Sequence, residues 1–422
     1  MPDPASSTPE GPVTTAGLDR LARRALPFFF LNTASATAGA ALFARWMDSD
    51  AYGGFIFAVH VVGLMALAAG LGLPQGALRF LARYRNEDRD NLYRGFLSFG
   101  LAVQVVGGVL VGGLVWVAVE LAGWGGHSAD SLRHAWWLVP VLGLNLLLAS
   151  VDTSAGRLRA SAIAHGLSRH AVAIGLGFAA LSLAGGLSAD RAMVVFGAAA
   201  AVTVAGQAVS RWRQGDRLAP MRTDVGPWLR VSGSMAVIWG LRVVGATGEI
   251  YILRGFQGEA EAGAFHLATA WAALAAIPAF TYSAAASRSI GGAREQGEAG
   301  RVAYLALRRA LLPTLGAVVV VLPTAIYFME HPGTTHTLAE YLLLPLIPAW
   351  GLRGLEALVL SGLAQRGLHA RATTLAAIFT VLALGVSVLL ALVAGVVAVG
   401  WGVLAVRVVF VGVLWVGLRR VG

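Results

Sequence analysis

The chain contains no cysteine and no lysine among its 422 residues, and only 22 acidic side chains. Without cysteine there is no disulfide framework, no thiol nucleophile and no thiolate metal site. The nine histidines are scattered, and none falls at a metal-ligand spacing. Charged residues make up 13% of the chain, against roughly 25% in an average soluble domain. No phosphate-cradling glycine loop precedes a helix in a polar segment. The 53 glycines are spread through apolar stretches, where close helix packing uses them. No cofactor is expected.

What remains is apolar: 57% of the residues, with a mean hydropathy of +0.70. A bilayer core about 30 Å thick needs roughly 20 apolar residues per helix. Twelve segments qualify: 25–44, 52–74, 95–121, 135–155, 169–186, 190–209, 228–250, 262–284, 303–328, 339–362, 372–394 and 397–418. The run 375–418 is far too long for one span at about 1.5 Å per residue, so it divides near Gly395–Gly402 as a tight hairpin. The expected fold is an all-α polytopic membrane protein of about 12 transmembrane helices.

Since lysine is absent, all 32 basic residues are arginines. Twenty-six of them lie before span 1, after spans 2, 4, 6, 8 and 10, or beyond span 12. Arg157, Arg159 and Arg169 form the group after span 4. Only Arg45, Arg133, Arg191 and Arg254 lie in the other gaps, and Arg242 and Arg407 sit inside spans 7 and 12. Cytoplasmic loops carry the excess of basic residues. This places both termini and the even-numbered loops of a multi-pass membrane protein in the cytoplasm. The net charge of +10 then reads as attraction to anionic lipid headgroups, with no nucleic-acid partner. Residues 1–17 read as a disordered cytoplasmic tail. Leu18 to Leu26 reads as a basic amphipathic stretch along the inner interface. The loops on the far side are short, the longest being 122–134, and house no external domain.

Sliding the chain by about 209 residues reveals an internal repeat. Arg45 falls on Arg254, Phe55 near Phe265, and Arg79 on Arg288. Six spans per half is an even number, so both halves enter the membrane from the same side. That predicts parallel repeats about an axis along the membrane normal, with cargo bound between them near the midplane. The expected division is an N-lobe at 18–210 (spans 1–6), a cytoplasmic linker at 211–227, and a C-lobe at 228–422 (spans 7–12), around a central cavity.

Three features together resemble a known family. The turn opening span 2 reads "DAYGGFIFA". The small-residue end of that span, "GLGLPQGALRFLARY", runs into a basic segment. The 6+6 topology extends over essentially residues 18–420. The sequence resembles a polysaccharide (O-antigen-type) flippase of the multidrug/oligosaccharidyl-lipid/polysaccharide (MOP) exporter superfamily. The resemblance implies two six-helix lobes, alternating access, and a lipid-diphosphate-linked oligosaccharide as cargo, plausibly on undecaprenyl diphosphate. Membrane lipid is then a partner, as a polysaccharide polymerase or glycosyltransferases would be.

Several polar residues stand out against the apolar background. An arginine in mid-membrane cannot escape by losing its proton. Burying one uncompensated costs roughly 2.5–3.5 kcal/mol on insertion scales. Arg242 and Arg407 are therefore expected to face the cavity, where guanidinium forks suit phosphate oxygens, or to form ion pairs. Glu249, seven residues after Arg242, is a candidate partner. Arg353 and Glu356 are three apart on one helix and can meet as a salt bridge or a gate. Asp152 is a candidate for ion coupling, or else pairs near the inner interface. Asn32 and Asn145 are candidate cavity residues, or else interhelical hydrogen-bond formers. His60 and His266 read more simply as interfacial histidines than as proton relays.

The leading expectation is a flippase that moves a lipid-linked oligosaccharide from the inner to the outer leaflet, and not an enzyme. The nearest rival is a cation-coupled multidrug exporter of the same superfamily. A polytopic glycan polymerase, ligase or glycosyltransferase is disfavoured, because its catalytic groups need a sizeable outer loop.

Overall fold

The computed structural model describes residues 15–155, 166–213, 221–291, 296–329, 337–365 and 369–419. Among them there is no strand. The helices are α1 (Thr15–Trp46), α2 (Ser49–Ala69), α3 (Leu73–Asn86), α4 (Asp90–Leu121), α5 (His127–Arg133), α6 (Leu138–Ser154), α7 (Ser168–Ala184), α8 (Ala189–Arg213) and α9 (Val225–Phe256) in the first part. They are followed by α10 (Glu259–Ala272), α11 (Ile277–Gly291), α12 (Gln296–Met329), α13 (Thr337–Gln365), α14 (His369–Val393) and α15 (Gly395–Arg419). Ten spans are long and apolar enough to cross a membrane. The pair α5–α6, bent by 72°, and the shorter apolar helix α7 fill the remaining two positions. All twelve spans read from the sequence are therefore occupied.

The second span of each half is broken. In the first half, α2 gives way to α3 through Gly70–Gly72, where Leu71 and Gly72 take φ of 49° and 74°. A left-handed backbone suits glycine, which has no Cβ to clash. Gly72 also lies against the Ser232 carbonyl of α9, where any Cβ would collide. In the second half, α10 passes into α11 through a 3-10 turn, Ala273–Ala276. Apolar periodicity does not reveal such breaks, because both sides remain apolar.

The halves repeat element by element. Helices α1 and α9 end at Trp46 and Phe256, and α2 and α10 begin at Ser49 and Glu259, 210 positions apart in each case. The arginine match, at 209, lies within one residue of this register; Arg45 is exposed, whereas Arg254 is half-buried over the Phe57 ring, 5.3 Å from its centroid. The Arg288 side chain lies outside the described residues.

Helices α2 and α10 lie side by side and run in the same direction. Gly53 packs on Gly263, 3.0 Å from the place of a Cβ there, and His60 meets His266. Gly53 and Gly263 are equivalent in the 210-residue register and meet each other, and both contacts pair like ends of the two helices, as parallel repeats require. An inverted repeat would set the start of one helix against the end of the other.

Each half also lends its first helix to the other. Leu18 and Ala22 of α1 are buried in an apolar cluster with Ala286, Leu307 and Phe410 of the second half. There Asp19 accepts a hydrogen bond from the Tyr282 hydroxyl (2.9 Å). Reciprocally, Trp228 of α9 is fully buried among Leu73, Phe80 and Phe96 of the first half. Its indole N–H donates to the Tyr84 hydroxyl (2.8 Å). Leu18–Leu26 therefore does not lie along the membrane interface; it continues α1 and docks on the opposite lobe. Residues 1–14 and part of the expected linker, 214–220, lie outside the described residues. Around the latter, α8 runs on to Arg213 and α9 starts at Val225.

Candidate functional site

The lobes seal against each other at the arginine-poor end. The seam is built on small residues that allow backbone contact. A Cβ on Gly53 would strike the Glu259 carbonyl across the seam; within the N-lobe, one on Gly54 would come within 2.6–2.7 Å of His127 and Ser128, holding α5 close beside it. The Ser128 amide donates to the Glu259 carboxylate at 2.9 Å, and Arg254 approaches the same carboxylate at 3.7 Å. Phe57 meets Tyr251 edge to face, with ring centroids 5.8 Å apart.

Below this seam lies an inter-lobe cavity of about 310 Å³. Its walls are aromatic and aliphatic: Phe43, Tyr52, Phe55, Phe196, Ile250 and Trp350. The polar groups are the hydroxyls of Thr33, Thr37, Thr247 and Thr269, the imidazoles of His60, His170 and His266, and Arg169. Among the described residues no carboxylate lines it. A second cleft of about 450 Å³ continues toward the arginine-rich end and shares His60, Arg169, Phe196 and Thr247 with the first.

Arg169 is the charged residue of the inter-lobe cavity, and sequence reasoning missed it. It falls in the gap after span 4 and was grouped with the loop arginines. Helix α7 starts at Ser168, so Arg169 occupies its first turn and turns inward. Its guanidinium lies 5.4 Å from the Phe196 ring centroid, and its Nε has no hydrogen-bond partner. A helix beginning one residue before an arginine was the available signal. Helix termini read from sequence are too soft to use it.

The two intramembrane arginines lie elsewhere. Arg242 and Arg407 line a third cavity, of about 280 Å³, within the C-lobe. It shares Ala246, Thr247 and Trp350 with the inter-lobe cavity. Arg407 pairs with Glu356 across helices, Nη1 to Oε2 at 2.8 Å, and Nη2 donates to the Gly245 carbonyl at 3.3 Å. The expected Arg353–Glu356 pair does not form. Arg353 instead donates to the Arg242 carbonyl (3.2 Å) and stacks over Trp350 at 4.6 Å. Glu249 does not pair with Arg242. It is buried at 3% exposure on α9, and its Oε1 has no hydrogen-bond partner. Arg242 forms no ion pair among the described residues; its guanidinium sits 5.5 Å from the Trp239 ring centroid.

The remaining candidates are structural in their surroundings. Asp152 on α6 pairs with Arg211 on α8 at 2.9 Å, and both are buried. Asn145 is fully buried inside the N-lobe and lines neither inter-lobe cavity. Asn32 is half-buried on α1 against Gly166; its neighbours Thr33 and Thr37 reach the cavity instead. Thr37 bridges the lobes, donating to the Ala270 carbonyl at 2.7 Å. Among the described residues, no group of three or more His, Asp or Glu could hold a metal ion.

No protein-family model matches the sequence, and no curated protein matches it. Solved structures share its fold. An inward-facing multidrug resistance MATE family transporter of the MOP superfamily superposes with a TM-score of 0.78 at 16% identity, over 97% of this chain and 98% of that one. An outward-facing conformation of such a transporter gives 0.73 at 15% identity, over 96% of each chain. A MOP superfamily transporter from Pyrococcus furiosus, described by the reverse polarity of its binding pocket, gives 0.71 at 15% identity, again over 96% of each. At these identities the likeness establishes a MATE-like transporter fold.

Proposed function

We propose that this chain is a MATE-type exporter that carries amphipathic organic molecules by alternating access and selects neutral or anionic cargo. The supporting observation is the inter-lobe cavity: aromatic walls, hydroxyls and imidazoles, one guanidinium, and no carboxylate. Apolar pockets with a few placed polar groups suit small amphiphiles. Arg169 offers them a charge-assisted hydrogen bond. A cationic drug would find no counter-charge there. The arginine-rich end is placed in the cytoplasm by the positive-inside rule, and the sealed seam then faces outward. The cavity volume supports a drug-sized cargo better than a lipid-linked oligosaccharide, so the exporter reading takes precedence over the flippase reading.

The flippase reading keeps one specific support. Arg242 forms no ion pair among the described residues and lines a side cavity where three arginines, with Arg353 and Arg407, outnumber the single carboxylate of Glu356, so a phosphate would be welcome. In this second reading the headgroup of an undecaprenyl-diphosphate-linked sugar enters between the lobes.

Trp350 lines both the inter-lobe and the C-lobe cavity, so tryptophan fluorescence reports occupancy. Purified full-length protein in nanodiscs should be quenched by an anionic amphiphile such as an anilinonaphthalene sulfonate. Arg169→Ala should weaken that binding about tenfold or more, as loss of a charged hydrogen bond of roughly 1.5–3 kcal/mol implies. A rhodamine-type cation should bind at least tenfold more weakly than the anion. Tighter binding of the cation would overturn the proposed selectivity. Binding of a polyprenyl diphosphate that is abolished by Arg242→Ala, with no binding of the sulfonate, would favour the flippase.

A further inference from the structure

We propose that His60 and His266 form a shared proton-binding site that latches the lobes together: unprotonated, the pair permits the seal; protonated, it drives the lobes apart. The two imidazoles come from opposite lobes, His60 from α2 and His266 from α10. Their ring centroids are 5.0 Å apart and their planes 73° apart, an edge-to-face contact. They sit where the repeated helices meet, at the floor of the seam and the roof of the inter-lobe cavity. Both are only half-buried and both line that cavity, so protons reach them through it.

The hydrogen-bonding pattern defines what a proton would do. His60 Nδ1 lies 2.8 Å from the Ile56 carbonyl, an acceptor, so Nδ1 carries the hydrogen. The lone pair of the neutral ring is then on Nε2, which is the atom a proton would occupy. Among the described residues, the cavity lining offers no carboxylate to balance two imidazolium charges. The titratable or charged groups lining the same cavity are Tyr52, whose ring lies 6.4 Å from that of His266, together with Arg169 and His170. Tyr251 of α9 faces Phe57. On α10, Glu259 and Glu261 lie seven and five residues before His266, in the first turn of the helix, and Glu259 is engaged by Ser128 and Arg254.

Two unit charges at such a separation disfavour the contact by a factor on the order of a hundred, at an effective dielectric of about 20. Separating the lobes removes that repulsion and hydrates both rings. The parted state therefore binds more protons than the sealed one, and by linkage acid shifts the equilibrium toward parting. The inference does not depend on which cargo is carried.

The native chain lacks cysteine, so a spin-label pair can be placed without background. Gly125→Cys in the N-lobe and Ala394→Cys in the C-lobe are both exposed at the sealed end. Pulsed electron-spin distances in nanodiscs, between about pH 8 and pH 5, should show the long-distance population rising at least fivefold. The double variant His60→Gln/His266→Gln should keep the short distance of the native protein at pH 8, which confirms its fold, and should lose the acid response. Each single variant should retain only a fraction of it, because one cation has no partner to repel. A native protein without a pH-dependent distance would overturn the inference. So would a double variant that still opens, or a response that disappears with Glu259→Gln instead.

Discussion

Among single residues, the decisive ones are charged groups that tertiary contact has redefined. Arg407 reads from the sequence as a lone charge in mid-membrane, and the structure gives it Glu356 at 2.8 Å. Removing one partner of a buried pair leaves the other uncompensated, which costs about 3–5 kcal/mol. Glu356→Gln should therefore lower the melting temperature of the detergent-solubilised protein by several degrees, read by light scattering. The paired change Arg407→Met/Glu356→Leu should recover most of the loss. An unshifted melt for the single variant would show that the pair contributes nothing to stability. That Arg407 needs a partner was legible from its depth in span 12. Which carboxylate serves was not, because Glu356 is three residues from Arg353 along one helix and meets Arg407 only through helix packing.

Helices repeat in sequence, but their closest meetings depend on single small residues. The α2–α10 seam closes because Gly53 lies on the Glu259 backbone. Gly53→Val should block that approach, since overpacking a tight contact costs about 1–3 kcal/mol. With labels at Gly125→Cys and Ala394→Cys, the variant should show the long distance at every pH. Gly113→Val, where a Cβ meets nothing within 4 Å, should behave as native. A short distance in the Gly53 variant would mean that the seam tolerates a side chain. The docked end of α9 gives a second check. Trp228→Ala removes a fully buried ring and should destabilise by about 3–5 kcal/mol. Tyr84→Phe removes only the hydrogen bond to it and should cost about 1 kcal/mol. Thermal melts that rank the two the other way would place the anchor in the hydrogen bond and not in the packing. The spans of these helices were legible from hydropathy. The crossing of α1 and α9 onto opposite lobes was not, because an apolar stripe does not say which neighbour covers it.

For the molecule as a whole, the arginine distribution makes a claim about sides. Single cysteines at Gly125 and Arg89 should react with a membrane-impermeant maleimide from opposite faces. In intact cells Gly125→Cys should label, and Arg89→Cys should label only after permeabilisation. Labelling of both from outside would end the proposed orientation. At this scale the parallel repeat also limits the mechanism. Equivalent helices meet at a shared seam, so a change that weakens the seam acts on both lobes at once.

The sequence by itself determined the class of molecule, the number of spans, the repeat and the expected orientation. These are properties of linear pattern: hydropathy fixes what can enter a bilayer, and arginine placement fixes which loops stay behind. Tertiary structure alone decided the broken second spans, the exchanged first helices, the Arg407–Glu356 pair, the inward turn of Arg169 and the contact of His60 with His266. The two histidines lie about 200 positions apart in the chain and 5.0 Å apart in space. Such encounters depend on how helices cross and how far small residues let them approach, and no local pattern encodes that geometry.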